Sequence, residues 1–275
     1  MHDILRAVIL GIVEGLTEFL PISSTGHMIL VEPLLGIREG DPSWAFWSGT
    51  FDIFIQIGAI LAVVVYFWRR LWRLAAHPAG APWREHILVK LFVAFLPAAI
   101  IGFLFHHVIE EHLMTPTVVA CALVVGGIAI IVIEAVVRHP TVADAGAVPL
   151  RTALTIGAAQ VLAMIPGTSR SGATIMGALG MGLTPAAAAE FSFFLSIPTM
   201  FAAGGYSLLK HLKDIRPDQF VTLGVGFVVS FIVAWLVIKV FMRFIQTHRF
   251  TGFAVYRIIL GVIVLVFYAK MFKGG

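Results

Sequence analysis

The 275 residues carry 59% hydrophobic and only 12% charged side chains, with a mean hydropathy of +0.97, whereas about 25% of a soluble domain is charged. That balance excludes an ordinary soluble enzyme and describes a chain living in lipid, long enough for roughly eight segments of the ~20 residues a bilayer helix needs. The net charge of +4 does not mark a nucleic-acid binder: the Lys and Arg residues end apolar runs, where the positive-inside effect and anionic headgroups account for them.

In chain order, the opening run MHDILRAVILGIVEGLTEF holds Glu14 and Glu18 where a cleavable signal would have an uninterrupted apolar core, so it reads as part of the mature protein. Four residues apart, the two acids share a helical face with Gly11 and Gly15. A carboxylate at membrane depth is costly and a like charge beside it adds to the cost; a divalent cation or an arginine relieves both. LPISSTGH at 20–27 then interrupts the apolar sequence. Pro21 disfavours helix in the residue before it, while Ser23, Ser24 and Thr25 supply hydroxyls and Gly26 admits close backbone approach. Amides at the following helix start can hold an anion, which suits a phosphate. His27 can exchange a proton with a serine or a leaving oxygen, or serve as a hydrogen-bonded structural residue.

Plain spans are expected at about 51–68, 87–106, 117–137, 219–242 and 252–270, with a sixth at 187–209 that contains Pro198. Asp52 and Gln56 share a face and can line a cavity or pair between helices, as can Glu190, Ser192 and Ser196. HHVIEEH at 106–112 follows a span end and reads as a solvated loop rather than a metal site. The single Cys121 lies in an apolar run and is expected to act as a small apolar side chain. Glu134 and Arg138 read as an interfacial ion pair and Arg257 as a snorkelling cation. Trp44, Trp47, Trp68, Trp72 and Trp83 flank span ends as interfacial anchors.

IPGTSRSG at 165–172 is the second interruption, and Arg170 is the only charged residue from Thr152 to Leu183. Its planar fork matches two phosphate oxygens, and Ser169, Ser171, Gly167 and Gly172 complete an anion-binding loop; an ion pair with Glu14 or Glu18 is a compatible alternative. The loop lacks the Gly-Lys-Ser/Thr ending of a nucleotide P-loop. Shifted by 146 residues, Gly11 matches Gly157, Glu14 Gln160, Leu16 Leu162, Ser23 Ser169 and Gly26 Gly172. Each interruption has arms of about 11–15 residues, too short to span, and is followed by three spans. The expectation is a single domain over 1–275, all-α and polytopic, with six transmembrane helices and two re-entrant helix-loop-helix hairpins. Its halves, about 1–140 and 150–275, form an inverted repeat with its site near the midplane. Five Lys and Arg residues between 69 and 90, against none at 106–116, place that first connection in the cytoplasm and the mouth of the first hairpin outside; Lys210, Lys213 and Arg216 run against the rule.

The stretches EGLTEFLPISSTGHM at 14–28 and PGTSRSGATI at 166–175 together resemble the two signature regions of the undecaprenyl-diphosphatase family, the bacitracin-resistance type. The likeness extends through FDIFIQIGAILAVVVYFWRR, ALVVGG, EFSFFLSIP and AVYRIILG; the 138–150 loop is the least family-like part. The resemblance implies a multi-pass phosphatase of the bacterial cytoplasmic membrane, facing the exterior. It implies a polyprenyl diphosphate lipid substrate recycled for peptidoglycan synthesis, bacitracin resistance, and dependence on a divalent cation, Mg²⁺ or Ca²⁺. It assigns the acidic motif to Glu14 and Glu18, with both as metal ligands, and the hydroxyl loop to Ser23, Ser24, Thr25 and His27. The arginine loop falls on Ser169, Arg170 and Ser171. The mechanism expected has Ser24 as nucleophile with Glu18 or His27 taking its proton, or a metal-activated water at the same residues, with Arg170 and the cation gripping the diphosphate. A polyprenyl-phosphate flippase is the first rival, since inverted repeats with broken helices also build transporters, and a channel or scaffold is the second. A homodimer is left open.

Overall fold

The computed structural model describes residues 2–38, 40–76, 82–137, 140–211 and 215–272, excluding the side chains of 106–108, 110, 111, 210, 211 and 267–272. The chain is all-helical: α1 (His2–Thr17), α2 (Ser24–Leu34), α3 (Asp52–Ala75), α4 (Ile87–Leu113), α5 (Pro116–Val136), α6 (Leu150–Gln160), α7 (Arg170–Gly180), α8 (Pro185–His211), α9 (Phe220–Phe244) and α10 (Thr251–Phe272). Five of these, α3, α4, α5, α8 and α9, are long and apolar enough to cross a bilayer by length and composition. The sixth expected span falls on α10, whose described apolar stretch is Thr251–Val266. Outward faces carry large apolar side chains such as Phe92, Phe103, Leu104, Val125 and Val132, all exposed, the surface that lipid rather than water would cover. The chain is a polytopic membrane protein.

The helices α1, α2, α6 and α7 are too short to span. Each stops where the sequence places turn formers: α1 ends before Leu20-Pro21, and α6 passes through a 3₁₀ turn at Val161–Met164 into Pro166-Gly167. Their positions follow from α3, whose 24 residues extend about 36 Å. The end of α2 lies by the start of α3: Arg6 Nε donates to Leu35 O, and Ile37, Trp47 and Phe51 pack in one cluster. The end of α7 lies by the other end of α3, since Thr141 N and Val142 N donate to Gly182 O, and Arg70 of α3 pairs with Asp144. The two short helices therefore come in from opposite ends and meet N-terminus to N-terminus.

Lipid tails are as apolar as leucine, so close packing and buried hydrogen bonds hold such helices together. A Cβ on Gly15 would fall 2.8 Å from Ser230 O, and one on Gly58 2.5 Å from Phe227 O; small residues let α1 and α3 press on the backbone of α9. Ser230 Oγ donates to Ile55 O at 2.7 Å, locking α9 to α3 as well. At the centre, Phe19 meets Phe193 edge-on at 5.3 Å, joining the first interruption to α8.

Several expectations are corrected. Trp47 is not an interfacial anchor: it is 2% exposed and packs between Phe46 and Phe51, whereas Trp68, Trp72 and Trp83 are well exposed. HHVIEEH is not loop backbone, because α4 runs on to Leu113; the side chains of His106, His107, Glu110 and Glu111 lie outside the described residues. Glu134 accepts from Phe250 N at 2.6 Å and Thr251 Oγ1 at 2.7 Å, capping α10; Arg138, its expected partner, lies outside the described residues, as does Lys213. Arg257 does not snorkel. It is fully buried, donating to the carbonyls of Pro21, Gly167, Ala122 and Leu123 at 3.1–3.4 Å.

Candidate active site

The two interruptions adopt the same local structure. Ser23 (φ 71°, ψ 101°) caps α2 and Ser169 (φ 72°, ψ 120°) caps α7. Each side chain accepts from the amide three residues on, Gly26 at 3.3 Å and Gly172 at 3.1 Å. They are the only non-glycine residues with positive φ among those described. Such conformations cost of order 1–3 kcal/mol each and persist where surrounding structure over-determines them, typically at functional sites. Here each serine turns the chain sharply while its hydroxyl satisfies a helix-start amide. With the offset of 146 residues, Ser24 and Arg170 occupy equivalent first positions of α2 and α7.

Between these helix starts is a cavity of about 220 Å³, lined by Glu18, Ser23, Ser24 and Thr25 from the first half and by Pro166, Gly167, Ser169 and Arg170 from the second, with Gln56, Thr199 and Met200 closing its sides. Both helix N-termini present amides and positive dipole ends to it, a setting made for an anion. Gly167 (φ +91°) is required here, because a Cβ would run into the Val119 backbone.

Glu18 is the junction. It is 7% exposed; its Oε2 accepts from Ser24 Oγ at 2.6 Å and its Oε1 from Arg170 Nη2 at 3.1 Å. Arg170 also donates through Nη1 to Ser192 O at 3.2 Å, lies over the Phe19 ring at 5.7 Å and has Met200 Sδ 3.3 Å from Nη2. Its Nε–H is buried with no hydrogen-bond partner. A serine hydroxyl donating to a carboxylate, with a guanidinium behind that carboxylate, can serve as a nucleophile, its base and an anion clamp.

The other residues singled out in the sequence fall differently. Thr25 is exposed on the cavity lining. Ser171 is fully buried and donates to Leu20 O at 2.9 Å, while Ser169 Oγ stands 3.0 Å from it; these two serines fasten the second loop to the backbone of the first. Gly26 packs its bare Cα against Leu123 and Val119. His27 is turned away from Ser24: Nδ1 donates to Ser23 O at 2.7 Å, and Nε2 is 2.7 Å from the Tyr256 hydroxyl, whose ring stacks on the imidazole. With both nitrogens engaged, His27 holds the loop, and Glu18 is the group that contacts the serine. Gln56 lines the cavity, whereas Glu190 pairs with Arg70 at 2.9 Å, Ser192 bonds Thr174 at 2.6 Å and Ser196 bonds Phe193 O.

No three His, Cys, Asp or Glu side chains come together to hold a metal among the described residues. Glu14 is 4% exposed and its Oε1 has no hydrogen-bond partner. Magnesium is often held by only one or two carboxylates, with water and substrate phosphate completing its shell. An orphaned, buried carboxylate oxygen one turn from Glu18 fits that requirement; Glu18, with both oxygens taken, fits it less well.

Residues 7–263 match the family model described as bacitracin resistance protein BacA. Curated relatives include proteins named undecaprenyl-diphosphatase from Rhodopseudomonas palustris strain BisB18, 47% identical with 97% of each chain covered, and from Aromatoleum aromaticum, 49% identical over 94% of this chain and 92% of the relative. Another, from Rhizorhabdus wittichii, is 48% identical over 96% of this chain and 97% of its own length.

Proposed function

This chain belongs to the bacitracin resistance protein BacA family, and from that premise we propose how its residues work as an undecaprenyl-diphosphate phosphatase. The enzyme hydrolyses undecaprenyl diphosphate to undecaprenyl phosphate and inorganic phosphate. The observation that carries the residue assignment is the Ser24–Glu18–Arg170 chain of hydrogen bonds at 2.6 and 3.1 Å, between two helix starts.

Arg170 binds the terminal phosphoryl group with its fork, joined by amides at the starts of α2 and α7 and by the Thr25 hydroxyl. Ser24 Oγ attacks that phosphorus as Glu18 takes its proton; an Oγ–P bond forms, the bond to the bridging oxygen breaks, and undecaprenyl phosphate departs. Water then attacks the phosphoryl-serine: the Oγ–P bond breaks as Glu18 returns its proton to Ser24 Oγ, and Glu18 takes the water's proton in turn and gives it up as inorganic phosphate leaves. Glu14 would help to hold a divalent cation, which when bound would neutralise phosphate charge. The halves 1–140 and 150–275 act as an inverted repeat whose two short hairpins re-enter from opposite faces. Support comes from the matching caps at Ser23 and Ser169 and the opposed directions of α2 and α7. The site opens to the outside of the cytoplasmic membrane, in keeping with the basic connection between α3 and α4.

The test is turnover of undecaprenyl diphosphate by purified protein in detergent, with acid-quench trapping of phosphoserine. Ser24→Ala is expected to lose at least about a thousandfold in kcat/KM and to trap no phosphate. Retained turnover in that variant would overturn the serine mechanism in favour of attacking water.

A further inference from the structure

We propose that Asp52 completes, with Glu14, a two-carboxylate cation site beside the Ser24–Glu18–Arg170 chain; this deepens the phosphatase reading and rests on it.

Glu18 is committed through both oxygens, to Ser24 and to Arg170. Two other carboxylate oxygens, Glu14 Oε1 and Asp52 Oδ1, are buried without any hydrogen-bond partner. A charged oxygen left without a partner and out of water is costly, and one cation shared by both would relieve it.

Packing brings them together through α9. Gly15, next to Glu14, presses on Ser230 O; the Ser230 hydroxyl donates to Ile55 O, one turn beyond Asp52; and Gly226 faces Gly11 on one side and Phe51 on the other. The carboxyl groups are within electrostatic reach: Glu14 feels Asp52 and Glu18 as like charges and Arg170 as the opposite one. Glu32 is a like-charged neighbour of Asp52, with its Oε2 held by Ser48 Oγ at 3.0 Å. Arg170 pairs with Glu18 through Nη2, and among the described side chains no cation pairs with Glu14 or Asp52.

The donor set is oxygen only, which selects a hard divalent cation. Two protein carboxylates leave coordination positions for water and for phosphate oxygens of the substrate. Held by these two carboxylates, a cation would neutralise diphosphate charge while leaving Glu18 to accept the proton from Ser24.

The experiment is Mn²⁺ binding to purified, substrate-free protein in detergent, read by electron paramagnetic resonance, with thermal unfolding in the presence and absence of Mg²⁺ or Ca²⁺. Wild type is expected to bind Mn²⁺ saturably and to melt higher with cation. Asp52→Asn and Glu14→Gln should each weaken binding at least about tenfold and abolish the cation-dependent rise. Glu85→Gln, in the exposed turn before α4, should do neither. Without cation, Asp52→Asn should melt no lower than wild type, since it removes an orphaned charge. If it cannot be recovered folded, Asp52→Ser replaces it, with Asp52→Glu expected to keep binding. Wild-type affinity in the folded Asn or Ser variant, or a shared proton with no Mn²⁺ binding in wild type, would overturn the proposal. Turnover measured on the same preparations separates the two readings: hydrolysis without Asp52-dependent binding removes the cation site alone, whereas Asp52-dependent binding without hydrolysis removes the phosphatase mechanism alone.

Discussion

The 2.6 Å contact between Ser24 and Glu18 sets two side chains of one loop at the distance of a charge-assisted hydrogen bond. Replacing Glu18 by Gln keeps the shape but removes the proton acceptor and the charge facing Arg170. Glu18→Gln should lower kcat by about 10²–10⁴, while His27→Gln, whose imidazole faces Ser23 O and Tyr256, should lose far less; equal losses in a pH–rate comparison would restore His27 as base. Arg170→Lys retains a charge without the fork, so kcat/KM should drop on the order of a hundredfold while the protein stays folded. Much of this was legible in the sequence: four-residue spacing placed Glu14 and Glu18 on one face, and an isolated Arg170 demanded an anion. Which oxygen meets which hydrogen was not, because spacing along a helix says nothing of a partner 152 residues away. The role of Tyr256 was hidden for the same reason, its hydroxyl being 229 residues from His27.

At the scale of elements, the loops are shaped by their caps. Ser23 and Ser169 hold a conformation that glycine adopts readily and alanine does not, and each supplies a hydroxyl to a helix-start amide. Replacing Ser23 by Gly should therefore change thermal stability by only a few tenths of a kcal/mol, whereas Ser23→Ala should cost about 1 kcal/mol or more; differential scanning fluorimetry in detergent distinguishes them. Crowding is the second constraint. Gly15→Val would drive branched carbon into Ser230 and Val233, and the displacement of α1 from α9 should cost roughly 1–3 kcal/mol and move Glu18 off Ser24, lowering kcat with it. The sequence showed where helices break, since Pro, Gly and Ser announce turns locally. It did not show the left-handed backbone at two serines, because no propensity marks a conformation imposed by the surrounding fold.

Across the whole molecule, Arg257 joins parts that hydropathy separates. Placed seven residues into α10, it looked like a cation reaching for the interface. Instead its guanidinium is buried among carbonyls of α5 and of both loops, and Gly126 and Gly172 leave room for it. Arg257→Met removes the donors and strands those acceptors, so stability should fall by about 3 kcal/mol or more and turnover should fall with it, measured by unfolding and by phosphate release. Arg257→Lys, too compact to reach both loops, should recover little. A residue's distance from a span end fixes how far it could snorkel; only the assembled bundle decides whether it is offered something better inside.

Glu18 belongs to the first half of the chain and Arg170 to the second, so this carboxylate is a bolt across the seam between them. Under the proposed mechanism, taking the proton of Ser24 removes the charge that holds the arginine, just as the phosphate oxygens it already grips draw on it most. The proposed chemistry thus unlocks its own clamp: Arg170 exchanges one anion for another without standing unpaired, and Glu18, once it has lost its proton as phosphate leaves, throws the bolt again.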